Sequence, residues 1–136
     1  MQVVVDTNVV FSAMLSDSKT REILLDSGDK FYSPDFLISE IENHEGLILQ
    51  KSELGMEEYE ALLDLMLSEI EVRSMEEYED EIEEEARSLI GGQDRKDIPF
   101  IALALKRDCK VWSDDTDFQE QEEVEVVTTE DMIERK

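Results

Sequence analysis

Four carboxylates carry the chemical signal of this sequence, and each is singled out by what flanks it. Asp6 directly follows the β-branched run Val3-Val4-Val5, Asp115 follows Lys110-Val111-Trp112, and Asp97 stands just ahead of Phe100-Ile101-Ala102-Leu103-Ala104-Leu105. Glu40 is the local anomaly. Leu37, Glu40, Ile41 and His44 recur at helical spacing and Ile48 extends the stripe, so a carboxylate shares the apolar face of a helix. Burying an unpaired carboxylate is costly, and with only 13 Lys and Arg in the chain a metal cation is its readiest partner. The lone Cys109 lies in no CxxC or Cys/His pattern, so any metal is held by oxygen. His44, the only histidine, reads first as a satisfied helix-face residue. Taken singly, an Asp at a strand end is a common turn former, and Asp97 has the place of a helix cap. Their coincidence with Glu40 is what points to a site.

The elements that must position these acids alternate along the chain. Residues 3–5 are too short for a helix and apolar throughout, as a strand buried on both faces is. Helices follow over residues 8–15 and 20–26, the second stopped by Gly28, and residues 30–32 form a second strand. Ser33-Pro34 then predicts the start of a helix, Ser capping it and Pro at its first position, which runs on to Lys51. A helix over residues 56–68 carries Tyr59, Leu62, Leu63, Leu65 and Met66 on an apolar side that serves the core or, as the second choice, an interface. Residues 70–73 form a strand, and residues 78–90 a strongly acidic helix stopped by Gly91-Gly92. Asp97 opens a central helix with Pro99 in its first turn. Strands over residues 110–112 and 124–127 precede a terminal helix capped by Thr128 or Thr129. This alternation predicts an α/β fold, a three-layer αβα arrangement around a mainly parallel sheet. Ligands of such sheets bind beyond the carboxyl ends of the strands, where the following helices begin. Asp6, Asp97 and Asp115 all fall on that rim.

At 136 residues the chain is expected to be one domain, residues 1–136. Its 37 Asp and Glu give a formal charge of -24, which repels nucleic acid at long range and favours cations and basic partners. Between residues 57 and 85 Arg73 is the only basic residue; the run reads first as a solvated helix face and second as a surface for a basic partner. No apolar run is long enough to cross a bilayer, and the start lacks the basic and apolar regions of a secretion signal. The expectation is a soluble, cytoplasmic protein.

Four segments in order resemble the PIN-domain family. Val3-Val4-Val5-Asp6-Thr7-Asn8-Val9-Val10 is similar to its opening strand and D-T-N turn, and Ser33-Pro34-Asp35-Phe36-Leu37-Ile38-Ser39-Glu40-Ile41 to its S-P-x-x-x-x-x-E-I helix. Asp97-Ile98-Pro99-Phe100-Ile101-Ala102-Leu103-Ala104-Leu105 resembles the D-x-x-x-[LI]-A-L-A-L helix, and Trp112-Ser113-Asp114-Asp115-Thr116-Asp117-Phe118 the [ST]-x-D-x-x-F strand-end motif. The resemblance spans essentially the whole chain. It implies a metal-dependent nuclease, most often an endoribonuclease, and in small prokaryotic members the toxin of a VapBC-type toxin-antitoxin pair. It maps Asp6, Glu40, Asp97 and Asp115 onto an acidic quartet with Asp117 as a candidate fifth acid. Thr7, Asn8 and Ser113 would position the acids or touch phosphate. Asp114 stands where many members have Gly or Asn. The resemblance further implies an RNA substrate, a basic antitoxin partner and pairing into homodimers.

The physical chemistry runs the same way. Clustered carboxylates repel one another and suit a hard cation such as Mg²⁺ or Mn²⁺ that takes oxygen ligands, and such an ion supports in-line attack on a phosphodiester. A haloacid-dehalogenase-type phosphatase needs a second acid two positions after Asp6, where Asn8 stands. A receiver-type signalling domain needs a strand-end Lys and a mid-chain phosphoacceptor Asp that have no counterpart in place. The rival that remains is a catalytically inactive PIN-like module that binds metal or protein, and metal-dependent cleavage of an RNA panel separates the two.

Overall fold

Val3, Val4 and Val5 are wholly buried because they form the middle strand of the sheet. In this computed structural model, which describes residues 1–15, 19–88, 95–119, 121 and 123–135, the strands are β1 (Gln2–Val5), β2 (Lys30–Pro34), β3 (Ile70–Arg73), β4 (Lys110–Trp112) and β5 (Val126–Val127). They form one five-stranded sheet in the order β3-β2-β1-β4-β5, and every neighbouring pair is parallel. The helices are α1 (Thr7–Leu15), α2 (Lys19–Asp26), α3 (Phe36–Asn43), α4 (Glu45–Ser52), α5 (Met56–Ser68), α6 (Glu79–Ser88), α7 (Ile98–Arg107), α8 (Thr116–Gln119) and α9 (Thr129–Glu134). The architecture is the expected α/β one, with the sheet parallel throughout.

The period of two in a strand divides the core into two layers. Val3, Val5, Phe31 and Trp112 point to one face, where they pack against Val9, Val10 and Ala13 of α1, Leu24 of α2, Leu37 of α3, Tyr59 and Met66 of α5 and Met132 of α9. Val4, Tyr32 and Val111 point to the other, against Tyr78, Phe118 and the α7 run Phe100–Ala104. Burying each large apolar side chain stabilises by about 1.5–3 kcal/mol, so both faces of β1 are committed and its register is fixed. No helix among the described residues is long and apolar enough to cross a membrane.

Several expected boundaries are corrected. Ser33-Pro34 does not open a helix: both residues end β2, and α3 starts at Phe36 after Asp35. The N–H of Lys30 bonds to Met1 on the β1 side and that of Asp35 to Arg73 on the β3 side. By alternation the nitrogen of Pro34 faces β1, which has already ended, so its missing N–H breaks no ladder bond. The long helix to Lys51 is broken at His44, which has φ -109° and ψ 7° and divides α3 from α4; Asn43, His44 and Gly46 are weak helix formers. The last strand covers only Val126–Val127. The acidic helix begins at Glu79, with Tyr78 buried ahead of it; its expected end at Leu89, Ile90 and Gly91-Gly92 lies outside the described residues. On α5, Tyr59 and Met66 are buried and Leu62 and Leu63 pack partly against the core, but Leu65 is 48% exposed.

Candidate active site

Because all strands run the same way, their carboxyl ends share one rim, and the chain leaves each end into a helix. The backbone N–H of Asp6 bonds to the Trp112 carbonyl at 3.1 Å, which locks the end of β1 to the end of β4. The Asp6 carbonyl accepts the N–H of Val9 at 3.0 Å, so α1 starts at once. The side chain of Asp6 is only 4% exposed. Its carboxylate accepts the hydroxyl of Ser113 at 2.8 Å and the backbone N–H of Asn8.

The fully buried Ser113 is used twice: its Oγ also accepts the backbone N–H of Asp115 at 3.0 Å. One hydroxyl therefore fixes both the first acid and the loop that carries another. On the opposite side Thr7 Oγ1 donates to Glu40 Oε1 at 2.7 Å, tying the first turn of α1 to α3. Glu40 lies half-buried between the apolar Leu37 and Ile41.

The electrostatics of this group centre on Asp6. Burial pushes its carboxyl up, and the neighbouring carboxylates of Asp115 and then Glu40 push it further; the bonds from Ser113 and the Asn8 N–H oppose them without prevailing, and the pKa rises from 3.8 to about 6. Asp115 and Glu40 are thus both close enough to act on Asp6, with Ser113 bonded to Asp6 and to the Asp115 backbone and Thr7 bonded to Glu40.

Asp97 reaches the rim by a different route. It is the residue before α7, yet its side chain makes no cap hydrogen bond and its backbone is helical, so helix capping does not account for its carboxylate. Its Oδ2 is buried. One turn on, the ring of Phe100 lies 6.4 Å from Phe36, the first residue of α3, and 6.2 Å from Phe118 of α8. Both partners follow strand ends, so the start of α7 stands at the same rim as Asp6 and Asp115.

The remaining predicted residues divide. Asn8 is exposed and, with Val9, Ser12, Asp114 and Asp115, lines an open cleft of about 210 Å³. Ser12 was not singled out from sequence, although its i+4 spacing from Asn8 on α1 puts the two on one face. Asp114 plays a structural part, accepting the Thr129 N–H at 2.7 Å and the Thr129 hydroxyl at 2.5 Å and so tying the start of α9 to the end of β4. His44 is satisfied as expected, with Nδ1 2.8 Å from the Glu40 carbonyl. Asp117 falls in α8 and its side chain lies outside what is described.

A donor set of carboxylates alone, gathered around a buried Asp6 that they destabilise, fits a hard divalent cation in chemical type. Among the described residues, however, no group of three or more His, Cys, Asp or Glu side chains is arranged to hold a metal ion as it stands. The carboxylates would have to draw together around the ion.

The family model of the PIN domain matches residues 4–134. Among solved structures, VapBC2 from Rickettsia felis, bound to a DNA fragment from their promoter, superposes with a TM-score of 0.62 at 19% identity over 94% of this chain and 98% of that one. A toxin-antitoxin complex from Klebsiella pneumoniae gives a TM-score of 0.64 at 14% identity over 93% of this chain and 97% of that one. At such identities the likeness is one of fold. No curated protein sequence matches the chain.

Proposed function

The chain belongs to the PIN-domain family, and from that membership we propose that it is a divalent-metal-dependent endoribonuclease acting as the toxin of a toxin-antitoxin pair. One observation carries the reading: Asp6 is buried at the sheet rim with Asp115 and Glu40 as its charged neighbours, an arrangement that raises its pKa to about 6 and that a bound cation would relieve. Asp6, Asp97 and Asp115 would hold Mg²⁺ or Mn²⁺, with Glu40 as a further ligand or as the group that orients the attacking water. When bound, such a cation supplies Lewis-acid stabilisation of the charge that develops on a phosphodiester during in-line attack.

The chain's own groups do the positioning. Thr7 holds Oε1 of Glu40, leaving Oε2 to accept a proton from water. Ser113 fixes the Asp6 carboxylate and the Asp115 backbone together, which limits the freedom these acids lose when a ligand binds. Asn8 is exposed beside them, where its side chain can touch a phosphate.

The partners follow from charge and exposure. A formal charge of -24 suits a basic antitoxin, and the exposed Met56 and Leu65 on α5 offer an apolar contact for a homodimer. The remaining parts of the proposal are that residues 1–136 form a single nuclease domain and that the protein works in the cytoplasm.

The deciding experiment incubates the purified protein with a mixed RNA panel in Mg²⁺, in Mn²⁺ and in EDTA, alongside Asp6→Asn. Cleavage that needs the metal and is lost in the variant supports the reading. One observation favours a second: a formal charge of -24 draws cations and basic proteins whether or not the chain turns over RNA, which suits a catalytically inactive module that binds metal or protein. Divalent stabilisation without cleavage of any RNA would select it.

A further inference from the structure

A second cleft opens beside the carboxylates, with a chemistry unlike the rest of the surface. It holds about 330 Å³ between α1 and α4, at the lower end of the ~300–1,000 Å³ typical of small-ligand pockets. None of its lining residues is acidic, in a chain where 37 of 136 residues are Asp or Glu. Asn8 and Ser12 line both this cleft and the smaller one that reaches Asp114 and Asp115. The two clefts therefore adjoin at Asn8 and Ser12 on α1.

The walls are of three kinds. Phe11 and His44 present rings whose centroids are 5.3 Å apart, tilted by 50°. The His44 ring is fixed in place, because the Glu40 carbonyl 2.8 Å from Nδ1 can only accept a hydrogen bond. Leu47 and Ile48 add apolar wall, and Lys51 supplies a cation.

We infer that this cleft receives one nucleobase of single-stranded RNA next to the bond to be cut, stacked against Phe11 and His44, with the adjoining phosphate at Lys51. The inference rests on the nuclease reading above and specifies which part of the substrate the site selects. A base has apolar faces for the rings and the leucine, and polar edges for Asn8 and Ser12. Only an unpaired base can be splayed out onto side chains in this way. On so acidic a protein, a phosphate chain meets least repulsion where acids are missing and a lysine is present. That combination occurs here: His44 lies one helical turn beyond Glu40, and Lys51 about two turns further along α4.

The test has a binding arm and a cleavage arm. The probe is a short, fluorescently labelled, mixed-sequence single-stranded RNA, with the same RNA annealed to its complement as control. In Ca²⁺, Phe11→Ala should weaken single-strand binding by about tenfold, the worth of one stacked base, with Phe11→Trp restoring it and the duplex unaffected. Lys51→Glu should weaken binding and lower the salt slope by about one phosphate contact. Leu47→Ser is a further check that does not threaten the fold, because Leu47 is 48% exposed. Under Mn²⁺, Phe11→Ala should raise KM and relax the base preference beside the cut while kcat changes less.

Parent-like affinity and base preference in Phe11→Ala, Leu47→Ser and Lys51→Glu would overturn the inference. If these variants bind RNA normally but lose a basic protein partner, the cleft docks protein and the inference is likewise wrong. If the parent cuts no RNA at all, the nuclease reading fails by itself and the binding arm still decides the cleft.

Discussion

Two acids of this protein live in opposite electrostatic surroundings. Glu77, just before α6, is gripped by Arg73 and by Arg107, whose guanidinium lies 3.9 Å from the centre of the Tyr32 ring. Its burial is outweighed by the bonds from the two arginines, and its pKa is lowered. Asp6 is buried more deeply and has carboxylates as its charged neighbours, and its pKa is raised. In a chain with 13 Lys and Arg, cations are scarce, and the fold places two of them on Glu77. The structural acid is neutralised by the chain itself, while Asp6 is left in need of something from outside.

The largest effect that can break this contrast is on catalysis. Asp6→Asn should lower metal-dependent RNA cleavage by about a thousandfold or more while the protein melts no lower than the parent. Cleavage at the parent's rate with saturating metal would show that the rim is not the site.

The second effect is on stability and has a definite sign. A carboxyl whose pKa rises from 3.8 to about 6 on folding favours the fold at low pH, and that contribution is lost as pH climbs through this window. At about 1.4 kcal/mol per pH unit, ionised Asp6 costs the metal-free fold about 3 kcal/mol. Melting in EDTA and high monovalent salt should therefore show stability rising as pH falls from 7 towards 5, and Asp6→Asn should flatten that rise. The lowered pKa values of Glu77 and Asp29 act in the opposite sense: their contribution is present above the ordinary carboxylate range and disappears on further acidification. An apo protein whose stability is flat from pH 7 to 5 would remove the premise.

A third effect sharpens the comparison from the ligand's side. Mn²⁺ at a hundredfold excess over Kd should stabilise the parent by about 2.7 kcal/mol through mass action, with most of this lost in Glu40→Gln and in Asp97→Asn. High monovalent salt is needed, because any divalent ion screens a charge of -24. Equal stabilisation of parent and Glu40→Gln would place Glu40 outside the metal site. The smallest effect belongs to the paired acid: Glu77→Gln should lower the melting temperature by a few degrees and leave cleavage and metal response unchanged.

Much of the frame was legible because it rests on burial and period. The triple valine announced a strand covered on both faces, and the helix over residues 56–68 was read with both ends in place. Ser33-Pro34 misled because the same pair that can start a helix can also finish a strand whose neighbour has ended. Only the register of β1 against β2 distinguishes the two, and register is a tertiary fact. The break at His44 was hidden by an apolar stripe that runs through it: Leu37 and Ile41 before the break and Ile48 after it are all buried. At the site, Asp6, Asp97 and Asp115 could be expected at the rim and Glu40 on an inward helix face from local patterns, but their supports could not. That Ser113 serves Asp6 and Asp115, or that Asp114 is spent on Thr129, depends on which loops meet in space.

The hydrogen bond from Ser113 to Asp6 joins residues 107 positions apart. The ribosome therefore makes this rim acid 107 residues before the hydroxyl that holds it. Until β4 docks against β1, Asp6 has neither that anchor nor Asp115 as a neighbour. Under the proposed function this order of assembly is a safeguard: an unfinished chain still tethered to its own message has no completed blade to turn on it.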